Sequence, residues 1–193
     1  MKWLPTAVLS SLLVLLFSGC GTALFPPNAA MKMEGRNREQ VILVGDFYVG
    51  ASYKERKASL RVKRGTLVCV GNSDNGVLTN NAEGWLGENW FTERRHLHFR
   101  QLRHTLDIEC SDGRTGTLVV TTIRNHSNGS SRWDMPYPHR TLGSGSLEDG
   151  TKIDFGSSGE CSRLNEMDIE CLFRPLPVVE WDAIRAGRRS FWD

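Results

Sequence analysis

The chain has 193 residues, of which 24 are basic, 22 acidic and 39% hydrophobic. A formal net charge of +2 is too weak a field to point to nucleic acid or an acidic substrate. The length allows one domain with a full core or two small ones.

The first element is a leader. Lys2 supplies a positive start, and an apolar run from Val8 to Phe17 follows it. Small Ser18 and Gly19 stand just before Cys20, where a peptidase needs access to the backbone. The run is shorter than the ~20 residues a membrane-spanning helix needs. The segment Leu16-Phe17-Ser18-Gly19-Cys20 resembles the lipobox of bacterial lipoproteins, with Phe17 where leucine is usual. That resemblance covers the leader only. It implies that residues 1–19 are a signal peptide, and that Cys20 becomes the first mature residue, acylated with fatty acid such as palmitate. An ordinary signal peptide with a fortuitous cysteine is the competing reading. Gly21 replaces the aspartate associated with inner-membrane retention in enterobacterial lipoproteins, which implies the outer membrane, periplasm-facing. Inner-membrane anchoring or the cell surface are the alternatives.

Residues 20–40 show no period, and Pro26-Pro27 with the polar Glu34-Gly35-Arg36-Asn37-Arg38 suit a lipidated flexible tether. Residues 41–193 are then expected as one β-rich domain. Val41–Val44 and Phe47–Val49 are short strand-like runs split by Gly45-Asp46. Leu60 and Val62 alternate with Arg61 and Lys63, and Arg64-Gly65 turns the chain into Leu67–Val70. Leu106, Ile108 and Cys110 alternate with polar residues, with the cysteine inward, before a turn at Ser111–Gly116 and a returning strand at Thr117–Ile123. Asp149-Gly150 predicts another bend, and Met167, Ile169 and Cys171 predict one more alternating strand. Pro177–Ala186, stopped by Gly187, predicts a short C-terminal helix. Short strands punctuated by Gly and Asn favour an antiparallel sandwich or small barrel, an all-β class. Asp107-Ile108-Glu109-Cys110 recurs as Asp168-Ile169-Glu170-Cys171, an echo too unevenly spaced for a solenoid. The turn motifs Cys110–Gly116 and Gly143–Thr151 are similar to those of uncharacterised β-rich envelope lipoproteins, a resemblance that implies a fold type and no activity.

Setting Cys20 aside for lipid leaves Cys69, Cys110, Cys161 and Cys171, an even set suited to disulfides in an oxidising compartment. Three connectivities exist; Cys69–Cys110 with Cys161–Cys171 is the favoured one. No CxxC pair supports a four-thiolate zinc site.

Little else predicts chemistry. His96 and His98 share a strand face with His104 nearby, but Arg94, Arg95 and Arg100 would repel a cation, so no metal is expected. No GxSxG occurs, and the paired cysteines leave no thiolate nucleophile. No catalytic residue and no cofactor is nominated. The aromatic residues Trp85, Trp90, Trp133 and Tyr137 sit in loop-like segments, where they could grip a partner or plug the end of the domain. The expectation is a non-enzymatic envelope lipoprotein that binds a protein or peptidoglycan partner. A small periplasmic hydrolase, or an inhibitor of an envelope enzyme, is the alternative.

Overall fold

Alternation decides what each strand buries: Ala58, Leu60 and Val62 are buried while Ser59, Arg61 and Lys63 are exposed. A computed structural model describes residues 27–50, 56–85, 96–127, 139–163, 166–176 and 181–182. Its main strands are β1 (Ala29–Glu34), β2 (Gln40–Val49), β3 (Ala58–Arg64), β4 (Leu67–Ser73), β5 (Val77–Trp85), β6 (His96–Cys110), β7 (Thr115–Ser127), β8 (His139–Leu147) and β9 (Lys152–Ser158). All pair antiparallel, in the order β4-β3-β2-β1-β9-β8-β7-β6-β5, and β4 also pairs with β6. That last pairing closes an eight-stranded barrel, with β5 as an additional strand. Of sandwich and barrel, the chain forms the barrel.

The register gives the barrel's shape. From Leu102 in β6, cross-strand partners lead through Thr122, Thr141, Ser157, Ala29, Gly45, Val62 and Cys69. The circuit returns to β6 at Cys110, eight residues beyond its start. Eight strands with a stagger of eight tilt by about 36° and enclose a space that side chains fill. The filling is Met31, Met33, Leu43, Phe47, Leu60, Val62, Leu106, Ile108, Leu118, Val120, Ile153 and Phe155. Phe47 and Phe155 meet edge to face at 5.1 Å. Glycines let the wall bend this tightly. A Cβ on Gly145 would lie 2.1 Å from the Thr117 carbonyl oxygen, and one on Gly45 2.0 Å from that of Arg61.

The closing seam is the shortest, running only from Cys69–Cys110 to Asn72–Asp107. Cys69 and Cys110, 0% and 3% exposed, form a disulfide across its end with Cα atoms 4.0 Å apart. Beyond the seam β5 follows β4 along the same side of β6, where Val77 faces Arg103 and Trp85 faces His96.

Four expectations are corrected. Of Gly143–Thr151, grouped with the turn motifs, Gly143–Leu147 lie in strand β8 paired with β7 and β9, and the turn begins only at Glu148. Residues 29–34, placed in the tether, form β1, because Ala29, Met31 and Met33 face the core between β2 and β9. Gly45-Asp46 does not split a strand; it lies inside continuous β2, where the missing side chain lets β3 approach. Met167, Ile169 and Cys171 are not one strand. A two-residue strand β11 (Glu166–Met167) pairs with β10 (Ser162–Arg163), and helix α1 (Ile169–Leu172) follows. Asp168 caps α1 by accepting the Cys171 N–H at 2.9 Å, so a strand-like alternation is overridden by a local cap. The predicted helix 177–186 lies outside the described residues, apart from helical Trp181-Asp182.

The segment carrying α1 is stapled by Cys161–Cys171 and packs Cys161 and Leu172 on Ala30, on the outside of the barrel. Arg140 Nη2 holds it by donating to the Cys171 and Arg174 carbonyls at 3.0 and 3.2 Å. A Cβ on Gly156 would stand 2.4 Å from the Leu172 carbonyl oxygen. Gly156→Ala is therefore expected to lift this segment, read as faster reduction of Cys161–Cys171 by dithiothreitol while Cys69–Cys110 stays protected. Reduction rates equal to wild type would contradict that packing.

Loops of 41 and 10 residues predict unequal losses when each bridge is replaced by serines. The cost is about 4 kcal/mol for the seam bridge and about 3 kcal/mol for the outer one on the chain-entropy model. Urea unfolding of the two double variants measures both, and a larger loss at the outer bridge would contradict the seam's role.

Candidate functional site

The two ends of the barrel differ in kind. One end carries the tight hairpins β1–β2, β3–β4, β6–β7 and β8–β9, and every described residue with positive φ (Arg38, Gly65, Gly113 and Gly150) lies in them. It carries a charge cluster in which Arg114 lies 2.6 Å from Asp112 and 3.8 Å from Asp149. The hydrogen bond from Arg114 holds the Asp112 carboxyl below the usual carboxylate range.

The opposite end takes in the chain at Asn28, whose side chain accepts the Phe47 N–H and donates to the Phe47 carbonyl. There too lie the strand ends joined by residues 50–57, 86–95 and 128–138, and the departure of the chain after Ser158. Trp85, expected in a loop-like segment, is instead the last residue of strand β5, opposite His96. Trp90, Trp133 and Tyr137 lie outside the described residues, as does Cys20. The segments that hold the three aromatics connect strands at this one end.

Towards this end the barrel interior turns polar. Thr122 and Thr141, both fully buried, share a hydrogen bond at 2.9 Å. Arg100 and Arg124 stand directly opposite each other on β6 and β7, 6% and 8% exposed. Arg124 Nη1 donates to the Gly50 carbonyl at 3.0 Å. Burial, then the neighbouring Arg124 charge, bring Arg100 down to about 10. Burial lowers Arg124 as well, against a smaller opposing effect of Tyr48. His104 is fully buried, with its ring against Gly76 at the junction of β4 and β5. Among the described residues neither of its ring nitrogens has a hydrogen-bond partner, nor does the buried Ser157 Oγ.

This arrangement offers hydrogen-bond donors and positive charge, with no described carboxylate inside the barrel to act as a base. The carboxylates Asp107, Glu109 and Glu148 line a groove of about 610 Å³ on the outer wall instead. Among the described residues no group of three His, Cys, Asp or Glu side chains is placed to hold a metal ion. His96 and His98 pair with Trp85 and Glu83, several residues from His104 along β6.

Sequence reading did not single out Arg100, Arg124, Thr122, Thr141 or Ser157. The available signal was Arg100, which continues the inward series Leu102, His104, Leu106 and Ile108 towards the start of β6. No family model, curated protein or solved structure matches the chain.

Burial lowers the His104 pKa from 6.5. The folded state resists the proton while the unfolded chain takes it up, so this contribution to stability is complete above that value and is lost as pH falls through it. Urea midpoints are expected to drop from about pH 7 to about pH 5, and His104→Gln should flatten that part of the profile. An unchanged pH slope in the variant would rule out His104 as the titrating group.

Proposed function

We propose that the chain is a lipid-anchored envelope lipoprotein of the outer membrane that binds a protein or peptidoglycan partner through the loop end of its barrel. The observation that carries this reading is the asymmetry of the ends: tight turns at one, all the long connections at the other. Binding sites concentrate on loops that a rigid scaffold holds in place, and a packed, disulfide-linked barrel is such a scaffold.

The sequence supports the anchor. Cys20 completes the lipobox-like pattern, and two disulfides suit an oxidising compartment. Several acyl chains would hold such a protein durably where one holds marginally. Residues 21–28 can span at most about 28 Å, so the loop end would stay close to the membrane that holds Cys20. A partner embedded in that membrane, or wall polymer tethered to it, would meet this end first.

Two experiments test the reading. Cys20→Ser should abolish palmitate incorporation and leave a precursor or a soluble periplasmic form; unchanged labelling would refute the anchor. A photo-crosslinker at position 90 or 133 should capture an envelope partner, whereas one at Asp149 on the turn end should not. Capture from Asp149 alone, or turnover of a cell-wall substrate with no adduct at all, would reverse the assignment.

A further inference from the structure

In the nine-stranded sheet, β5 is the strand paired along one side only among the described residues. β6 holds that side from Val77–Arg103 to Trp85–His96. β3, which flanks β4, ends at Ala58 opposite Ser73, and no described strand continues beside Val77–Trp85. On that side no described strand takes up the β5 backbone N–H and C=O groups, which makes them a template for another strand.

The chemistry of the strand suits pairing. Val77 and Leu78 are 57% and 40% exposed and, with Tyr48, are the exposed large hydrophobics of the described residues. The segment Val77–Trp85 contains no Pro, Lys or Arg, the residues that blunt an edge, and its single charge is Glu83. A bulge between Leu78 and Asn80, a feature that blunts an edge, is confined to the strand's start, and Asn80–Trp85 pair regularly with β6.

We propose that this edge is a homodimer interface, in which β5 pairs antiparallel with β5 of a second copy. Symmetry identifies the occupant. A twofold contact lets each copy satisfy the other's open edge, and because the remaining eight strands are closed on themselves, assembly stops at two. The register that overlaps the whole strand puts Asn81 on the twofold axis, opposite Asn81 of the second copy. It also sets Glu83 opposite Thr79 and Val77 opposite Trp85. The one charge thus meets a neutral residue, and no like charges oppose.

Light scattering on the full chain in detergent micelles, after subtraction of the micelle, should give a particle of two chains that dissociates on dilution. Asn81→Lys and Asn81→Asp, each facing its own copy, should weaken the dimer by about five-fold, and an equimolar mixture should restore it. Circular dichroism of each variant checks that the barrel is intact. Should either variant fail to fold, Asn81→Cys takes its place: mild oxidation should join two chains through it, while Ser59→Cys, exposed on β3, should not. Single chains at every concentration up to about 100 μM, a dimer that both charged variants leave unchanged, or no cross-link through position 81 would overturn the proposal.

Discussion

Closure of the sheet through β4 and β6 is the constraint on which the rest of the structure depends. An open antiparallel sheet of this length would twist away and expose the inner row Leu60, Val62, Leu106 and Ile108 to water. Pairing Cys69–Asn72 with Asp107–Cys110 turns that row inward and fixes a stagger of eight. Stagger and strand number together set the radius, and at this radius ordinary side chains fill the interior. The seam is short because β6 is shared: one half pairs with β4 and the other with β5. A bond that does not depend on ladder length is most useful at such a seam, and the buried Cys69–Cys110 bridge is there.

The same closure explains the glycines. In a narrow barrel, neighbouring strands coil so closely that certain inward positions have no space for a Cβ. Gly45 against Val62 and Gly145 against Leu118 are two such places, each a direct cross-strand pair. In the sequence a glycine inside a β-branched run reads as a break between strands, which is why Val41–Val44 and Phe47–Val49 look separate. The chain uses it to bend one strand.

Much of the fold was legible because burial in a barrel is one-sided. Leu60 and Val62, then Leu106, Ile108 and Cys110, keep strict period two, and Gly65, Gly113 and Gly150 supply the left-handed residues their turns require. Illegibility began where a strand is buried on both faces. In β1, inner Met31 and Met33 alternate with Ala30, which lies under Cys161 and Leu172, and with Lys32. Lys32 and Glu34 do share the outer face, but Ala-Ala-Met-Lys-Met-Glu carries no β-branched or aromatic residue and its buried outer position is only an alanine, so it reads as tether. At 167–171 the failure has another source. Period two is present in the letters, but Asp168 captures a backbone N–H three residues on and starts a helical turn. The candidate site was half legible: loop aromatics are visible as composition, whereas the polar interior emerges only when register brings Arg100 to Arg124 and Thr122 to Thr141.

That polar interior also bears on the role proposed for the loop end. Like charges directly opposite on neighbouring strands are destabilising, and a buried imidazole with neither nitrogen bonded forgoes the hydration it had in the unfolded chain. A barrel selected for stability alone would extend the apolar filling of Leu106, Ile108 and Val120 upward along the same strands. Instead the interior towards the loop end holds Arg100 and Arg124 directly opposite each other and His104 with no hydrogen-bond partner among the described residues, while the turn end carries the Arg114, Asp112 and Asp149 cluster. Departures from local consistency gather where something other than folding constrains the residues. Both the end of β5 and the polar residues of β6 and β7 lie towards that end, as do the strand ends that carry the aromatic segments. Tight turns at one end and a polar interior towards the other put the two ends under different constraints, and the proposed loop-end contacts would draw on that difference.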